Sequence, residues 1–167
     1  MAKSKLDINY AYQKTVSFSQ YSMYSNCQHS WYLAYVKKQK VFKPGIHLLY
    51  GTSLHEALQE YLRVMYDESI KAADEMDLVS YFETRMLENY KNDLEQNSNC
   101  HYCTKEDFTE FIEDGRLSLD WFKSKRSKYF SKKDTQLVGI EIPILQSITE
   151  YSPNVLLQGY IDFILYN

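Results

Sequence analysis

Hydrophobic and polar side chains alternate in two segments near the end of the chain, and this pattern predicts two β-strands, 138–144 and 156–165. Alternation with a period of two is typical of strands that bury one face. The shared apolar faces comprise Val138, Ile140, Ile142 and Ile144 in the first strand and Leu157, Gly159, Ile161, Phe163 and Leu165 in the second. In each strand the acidic residue, Glu141 in the first and Asp162 in the second, falls on the face opposite the apolar one. If the strands pair across a turn at 152–154, the two carboxylates converge on one side of a small sheet, an arrangement typical of sites for hard divalent cations.

A simpler interpretation of each carboxylate is a solvated side chain on the polar face of a strand. Gly159 favours a binding site, because a glycine weakens a strand unless another backbone or a ligand approaches closely at that point. Gly159 lies three residues before Asp162, so a ligand that approaches there would be near that carboxylate in the chain.

Upstream of the strands, apolar residues recur at helical spacing in four segments: 17–36, 50–65, 77–94 and the segment that opens at Thr104. Ser17 or Ser19 is suited to cap the first helix, and Thr104 with Asp107 resembles a capping pair for the fourth. We therefore expect an α+β fold, rich in helix, in which about four helices precede a strand pair.

The side chains expected to face the core are those on one face of each helix. They are Tyr21, Tyr24, Cys27, Trp31 and Tyr35; Leu54, Leu58, Tyr61, Leu62 and Met65; Val79, Phe82, Met86, Tyr90 and Leu94; and Phe108, Phe111, Ile112, Gly115, Leu119 and Phe122. His55 lies at the edge of the second set, where a histidine is ordinarily a partly buried core residue. Gly51, one turn earlier, clears space beside its imidazole.

Length and charge limit the class of protein. A chain of 167 residues forms one domain of ordinary size, and a net charge of −3 excludes a surface coated in basic charge while leaving local basic patches. The 16 tyrosines imply aromatic packing and aromatic contacts with a partner. No apolar run approaches the roughly 20 residues that span a bilayer, and no signal-like segment follows Met1, so we expect a soluble cytoplasmic protein without membrane contacts.

The three cysteines do not predict a disulfide framework, because their number is odd and no export signal precedes them. Cys100-His101-Tyr102-Cys103 has the spacing of half a zinc knuckle, without a second pair after it. A small zinc-stabilised helical adaptor is one alternative for this chain.

Three separated segments resemble motifs of the RecB-type branch of the PD-(D/E)XK nuclease superfamily, which includes phage exonucleases and the nuclease domains of recombination helicases. Ser17 to Tyr21, continuing through Tyr24, Cys27 and Trp31 to Tyr35, resembles its opening motif, with Gln28 at a position usually held by proline. Gly51 to His55 resembles G-x-x-x-H, and Glu141 followed by Gly159-Tyr160-Ile161-Asp162 resembles the acidic strand and its G-x-x-D motif.

This resemblance implies a restriction-endonuclease-like core that hydrolyses DNA phosphodiester bonds with Mg²⁺ or Mn²⁺ held by His55, Asp162 and Glu141. It also implies an exonuclease of recombination, repair or phage DNA metabolism, with a helicase, an annealing protein or a second nuclease chain as partner. The basic end of the fourth helix would then contact the DNA backbone through Lys123, Lys125, Arg126 and Lys128. Its simpler interpretation is a set of cations that complement the helix dipole.

In the family, a strand with [D/E]-x-K and then a helix with Q-x-x-x-Y come after the G-x-x-D motif, and neither occurs between Asp162 and Asn167. We therefore expect residues 1–167 to form a single, incomplete nuclease-like domain with little turnover, and association through an uncovered strand edge. The alternative is a non-catalytic nuclease-like module that binds DNA or protein. Some members of the branch carry an iron–sulfur cluster; Cys27 holds the position of its early ligand, whereas Cys100 and Cys103 do not match that pattern.

Overall fold

The computed structural model describes residues 14–39, 43–130, 134–147 and 155–166. These residues form six α-helices, one π-helical turn and three strands. In chain order they are β1 (Lys14–Ser17), α1 (Phe18–Asn26), α2 (Gln28–Trp31), the π-helical turn (Tyr32–Val36), α3 (Ile46–Asp67), α4 (Ile70–Glu75), α5 (Leu78–Gln96), α6 (Lys105–Tyr129), β2 (Gln136–Ser147) and β3 (Val155–Tyr166). The predicted α+β class is confirmed.

The chain divides into two compact units. Among the described residues, the first unit contains 14–39, 141–147 and 155–163, and the second contains 43–130, 134–140 and 164–166. The assignment of residues 1–167 to one domain stays a prediction.

The first unit opens with a strand that was not predicted. β1 pairs in parallel with β3, with Lys14 opposite Val155 and Ser17 opposite Gln158. Ser17 then caps α1, as predicted: its Oγ accepts a hydrogen bond from the backbone N–H of Gln20 at 3.3 Å. A four-residue polar strand carries no periodic signal of its own, since its formation depends on a partner that lies about 140 residues away in the chain.

The helix predicted over 17–36 is interrupted at Cys27, which was wrongly placed on a continuous helical face. Cys27 has extended backbone angles, φ −157° and ψ 103°, and its Sγ accepts a hydrogen bond from the N–H of Ser30 at 3.4 Å, so it ends α1 and caps α2. The predicted aromatic core stripe is therefore also wrong for α1. Tyr21 and Tyr24 are exposed, and the break at Cys27 separates them from Trp31 and Tyr35, with which they were predicted to share one continuous helical face.

The sheet has the order β1-β3-β2, so β3 is its central strand. Regular alternation fails in β2, where Glu141 has a left-handed φ of 51°. A residue in this conformation interrupts a strand as a β-bulge does and changes which side chains face the core. Val138 and Ile144, predicted to be on a buried face, are 59% and 42% exposed.

The predicted face of β3 also needs correction, because Leu157 is exposed whereas its neighbour Leu156 is 6% exposed. Phe163 is likewise exposed, and Leu165 packs against the helical core as predicted. The predicted turn at 152–154 lies outside the described residues.

The second unit is a helical core in which α3 packs against α4, α5 and α6, and α5 packs against α6. The predicted apolar faces of α3 and α6 are confirmed, as is that of α5 from Val79 to Tyr90, whereas Leu94 is not among the residues of this core. The fully buried side chains include Tyr61, Met65, Phe82, Met86 and Leu119.

Two local features set the position of α6. Thr104 and Asp107 form the predicted capping box: Thr104 Oγ1 accepts from the N–H of Asp107 at 3.0 Å, and the Asp107 carboxylate accepts from the N–H of Thr104 at 2.9 Å. At Gly115, an added Cβ would lie no more than 3.0 Å from three carbon atoms of the Phe82 ring. The missing side chain thus lets α6 approach α5 closely. No helix in the described part of the chain combines the length and apolar character that a bilayer span requires.

Candidate metal and nucleic-acid site

His55 lies on α3 of the second unit and is half-buried. Its Nε2 is 2.5 Å from Nε2 of Gln59, one turn later on the same helix. One ring nitrogen is therefore in contact with the Gln59 amide, and a ligand that uses this nitrogen would have to displace it. At Gly51, an added Cβ would meet no described atom within 4 Å, in agreement with the predicted space beside the imidazole.

The neighbouring residue Glu56 belongs to a polar network that connects α3 to α5. Its carboxylate accepts hydrogen bonds from Arg85 Nε at 2.8 Å and from Asn89 Nδ2 at 3.0 Å, and Asn89 also donates to the buried Ser53 at 3.1 Å. Burial raises the pKa of Glu56, but the hydrogen bonds and the charge of Arg85 outweigh it, so that its pKa is lowered overall.

Sequence reasoning missed this network. Its signal was available, because Ser53 and Glu56 are three residues apart and Arg85 and Asn89 four apart, which places each pair on one helix face. Since Ser53 and Glu56 point at α5, the network sets the rotation of α3 and hence the direction in which the helix presents His55.

Glu141 and Asp162 lie on the neighbouring strands β2 and β3, within the first unit, and both side chains are exposed. The sheet therefore carries both predicted carboxylates. Gly159 has open space around it, with no described atom within 4 Å of an added Cβ. Within the described chain no second backbone segment makes a close approach at Gly159, and the approach of a ligand there stays a prediction.

The types of donor fit a divalent ion, since carboxylate oxygens are its preferred ligands and an imidazole is a common additional one. Across the residues described here, no group of three or more His, Cys, Asp or Glu side chains could hold a metal ion. The assignment of His55, Glu141 and Asp162 as metal ligands stays a prediction, and no catalytic step through a metal ion follows from this arrangement.

The basic run at the end of α6 divides into two kinds of side chain. Arg126 forms an ion pair with Asp74 and donates a hydrogen bond to the hydroxyl of Tyr61, and Lys123 Nζ donates to the carbonyl of Met76 at 3.3 Å. These two cations bind α6 to α3 and to the α4 region. Lys125 and Lys128 are exposed.

The hydroxyl of Tyr61 lies at the centre of this cluster and donates to Asp74 Oδ1 at 2.6 Å. Burial and the hydrogen bond to the Asp74 carboxylate raise the pKa of Tyr61 to about 12, against the opposing effect of Arg126. A structural role for Lys123 and Arg126 is thus visible, whereas DNA contact by any of the four cations stays a prediction.

The cysteines lie in different environments. Cys27 is exposed, and hydrogen bonds from Ser30 lower the pKa of its thiol. Cys103 is half-buried, and burial raises the pKa of its thiol. The side chains described around Cys100 and Cys103 form no three-ligand group, so the zinc adaptor gains no support. The role of Cys27 as an iron–sulfur ligand stays a prediction.

Residues 15–167 match the family model of the PD-(D/E)XK nuclease superfamily. This match covers nearly the whole chain, and the protein belongs to that superfamily. No curated protein and no solved structure gives a significant match.

Proposed function

We propose that this chain is a metal-dependent DNA nuclease of the RecB-type branch, an exonuclease that acts in the cytoplasm in recombination, repair or phage DNA metabolism. The observation that carries the proposal is the superfamily match over 15–167, which includes every motif on which the resemblance rests. Members of the superfamily generally use divalent metal ions, and we propose Mg²⁺ or Mn²⁺ for this chain.

The arrangement of acids and cations is the second support. Glu141 and Asp162 occur on adjacent strands of one sheet, and a bound divalent ion would supply charge neutralisation and an activated water for phosphodiester hydrolysis. The chain itself contributes negative charge for that ion on β2 and β3. Exposed Lys125 and Lys128 are available to phosphates, since neither takes part in the contacts that Lys123 and Arg126 make.

A second candidate is a non-catalytic nuclease-like module that binds DNA or protein. In the described sheet β2 is an edge strand, and an edge offers backbone groups to a helicase, an annealing protein or a second nuclease chain.

Manganese binding separates the two candidates. Calorimetric titration of the chain with Mn²⁺ should give one saturable site that Asp162→Asn and His55→Ala each weaken, because both remove a proposed ligand. Asp120→Asn, an exposed acid on α6, is the matched control and should leave binding unchanged. Binding that is the same in all four proteins would exclude the proposed ligands.

Cleavage then tests the activity itself. Because little turnover is expected of residues 1–167, the assay uses protein in excess over DNA with Mn²⁺. End-labelled linear DNA should then be shortened slowly while covalently closed circular DNA stays intact, the pattern of an exonuclease, and Asp162→Asn should abolish the shortening. DNA binding without any cleavage would favour the non-catalytic module.

A further inference from the structure

The first helical segment exposes an unusual number of aromatic rings. Phe18 is 77% exposed, Tyr21 62%, Tyr24 44% and Tyr32 40%. Large apolar side chains scattered singly on a surface are ordinary, but a contiguous group of them marks a contact surface. We call these four residues, together with Trp31, the aromatic surface.

The rings of the aromatic surface form a row. Phe18, Tyr21 and Tyr24 follow each other at intervals of three residues on α1, which places them on one side of the helix about 4.5 Å apart along its axis. The Tyr24 ring meets Trp31 edge-on at a centroid distance of 5.4 Å, and Trp31 stacks on Tyr35 at 6.5 Å with an interplanar angle of 28°. The row therefore continues from α1 through α2 into the π-helical turn.

The charge of the chain segment that contains this row differs from that of the rest of the sequence. Residues 8–55 contain five lysines and no acidic residue, and 21 of the 22 acidic residues follow residue 55, although the whole chain has a net charge of −3. Lys37 lies over the Tyr32 ring, with its Nζ 5.5 Å from the centroid, and Lys38 is exposed beside it. An aromatic row on a segment that carries lysines and no acidic residue of its own is complementary to a polyanion that carries flat rings.

We propose that the aromatic surface binds single-stranded DNA, with unpaired bases stacking on Phe18, Tyr21 and Tyr24 and with Lys37 and Lys38 contacting phosphates. Every base offers a π-face when it is unpaired, whereas the bases of a duplex already stack on each other, so the row selects a single strand without reading its sequence. The inference rests on the proposed nuclease function for the identity of the polymer as DNA. It adds the form of the substrate and the surface that holds it.

The experiment is fluorescence anisotropy of the 167-residue chain with a short labelled oligothymidylate, in EDTA so that no divalent metal or cleavage takes part. We expect saturable binding that Tyr21→Ala weakens by about fivefold to 150-fold, because removal of one stacking ring costs roughly one to three kcal/mol. Tyr21→Phe keeps the ring and should retain binding. Trp121→Ala removes a ring that is 59% exposed on α6, outside the acid-free stretch, and should also retain it.

The salt dependence tests the phosphate contacts separately. For single strands, each phosphate contact contributes about 0.7 to the magnitude of the slope of log K against log salt. The double variant Lys37→Gln, Lys38→Gln removes two such contacts and should therefore reduce the magnitude of the slope by about 1.4. A hairpin duplex should bind more weakly than the oligothymidylate and respond little to Tyr21→Ala.

Several results would overturn the proposal. The first is that the unaltered chain does not bind the oligothymidylate. The second is that the Phe18→Ala, Tyr21→Ala double variant, with native circular dichroism, binds it unchanged, and the third is that Tyr21→Ala weakens the binding of duplex and single strand equally. The fourth is self-association that the double variant abolishes, which would make the surface an interface between copies of the chain. A chain that binds the single strand as expected but neither binds Mn²⁺ nor cleaves DNA would leave this inference standing and refute the nuclease proposal.

Discussion

Replacing Gly115 with alanine should destabilise the helical core, although the same change ordinarily stabilises a helix. Alanine gains roughly 1 kcal/mol over glycine in a helix interior. At Gly115, however, the new Cβ would lie at most 3.0 Å from three carbons of the Phe82 ring, where ordinary carbon contacts are about 3.5–4.0 Å. The ring has little room to retreat, because Phe82 is fully buried and the Tyr50 ring packs edge-on against it at 6.1 Å.

The gain in helix propensity and the cost of overpacking oppose each other, and the overpacking cost should be the larger. Overpacking a core typically costs about 1–3 kcal/mol, so the net loss of unfolding free energy should reach about 2 kcal/mol. For a chain of this size that corresponds to a fall in Tm of roughly 4–8 °C.

Gly51→Ala is the matched control. Gly51 lies inside α3 in the same compact unit, and its added Cβ would meet no described atom within 4 Å. This variant should gain up to about 1 kcal/mol from helix propensity alone. Urea unfolding followed by far-ultraviolet circular dichroism measures both changes, and the difference between the variants isolates the packing term. Equal shifts in the two variants would refute the close approach of α6 to Phe82.

Three further predictions concern single side chains. Tyr61→Phe removes a hydrogen bond to the Asp74 carboxylate and should lower the unfolding free energy, measured by urea titration, by about 1.5–3 kcal/mol. A loss within error of zero would contradict the hydrogen-bonded arrangement of Tyr61, Asp74 and Arg126. Thr104→Ala removes the cap of α6 and should cost about 1 kcal/mol, whereas Thr104→Ser, which keeps the hydroxyl, should cost much less. The pKa of the Cys27 thiol is lowered and that of the Cys103 thiol is raised, so the thiolate of Cys27 should form at lower pH. Alkylation followed by mass spectrometry should therefore show Cys27 reacting before Cys103 as the pH rises. The reverse order would be inconsistent with the capping hydrogen bond that Cys27 accepts from Ser30.

The locally encoded features could be predicted from the sequence. The helical faces that contain Tyr61 and Met65 follow from apolar spacing, and the caps at Ser17 and Thr104 follow from hydroxyl side chains that accept hydrogen bonds from their own first turns. These interactions join residues only three or four positions apart, so the pattern contains nearly all the information they need.

The remaining features depend on residues that are distant in the chain. β1 exists because it pairs with β3, and Lys123 and Arg126 are occupied because α6 packs beside the α4 region. Glu141 has a left-handed backbone conformation, which the alternating pattern of the strand does not predict. For the candidate site, the sequence identified His55, Glu141 and Asp162 by side-chain type and by resemblance. Whether such donors converge is a matter of distances between separate elements, which local hydrogen bonding and periodicity do not encode.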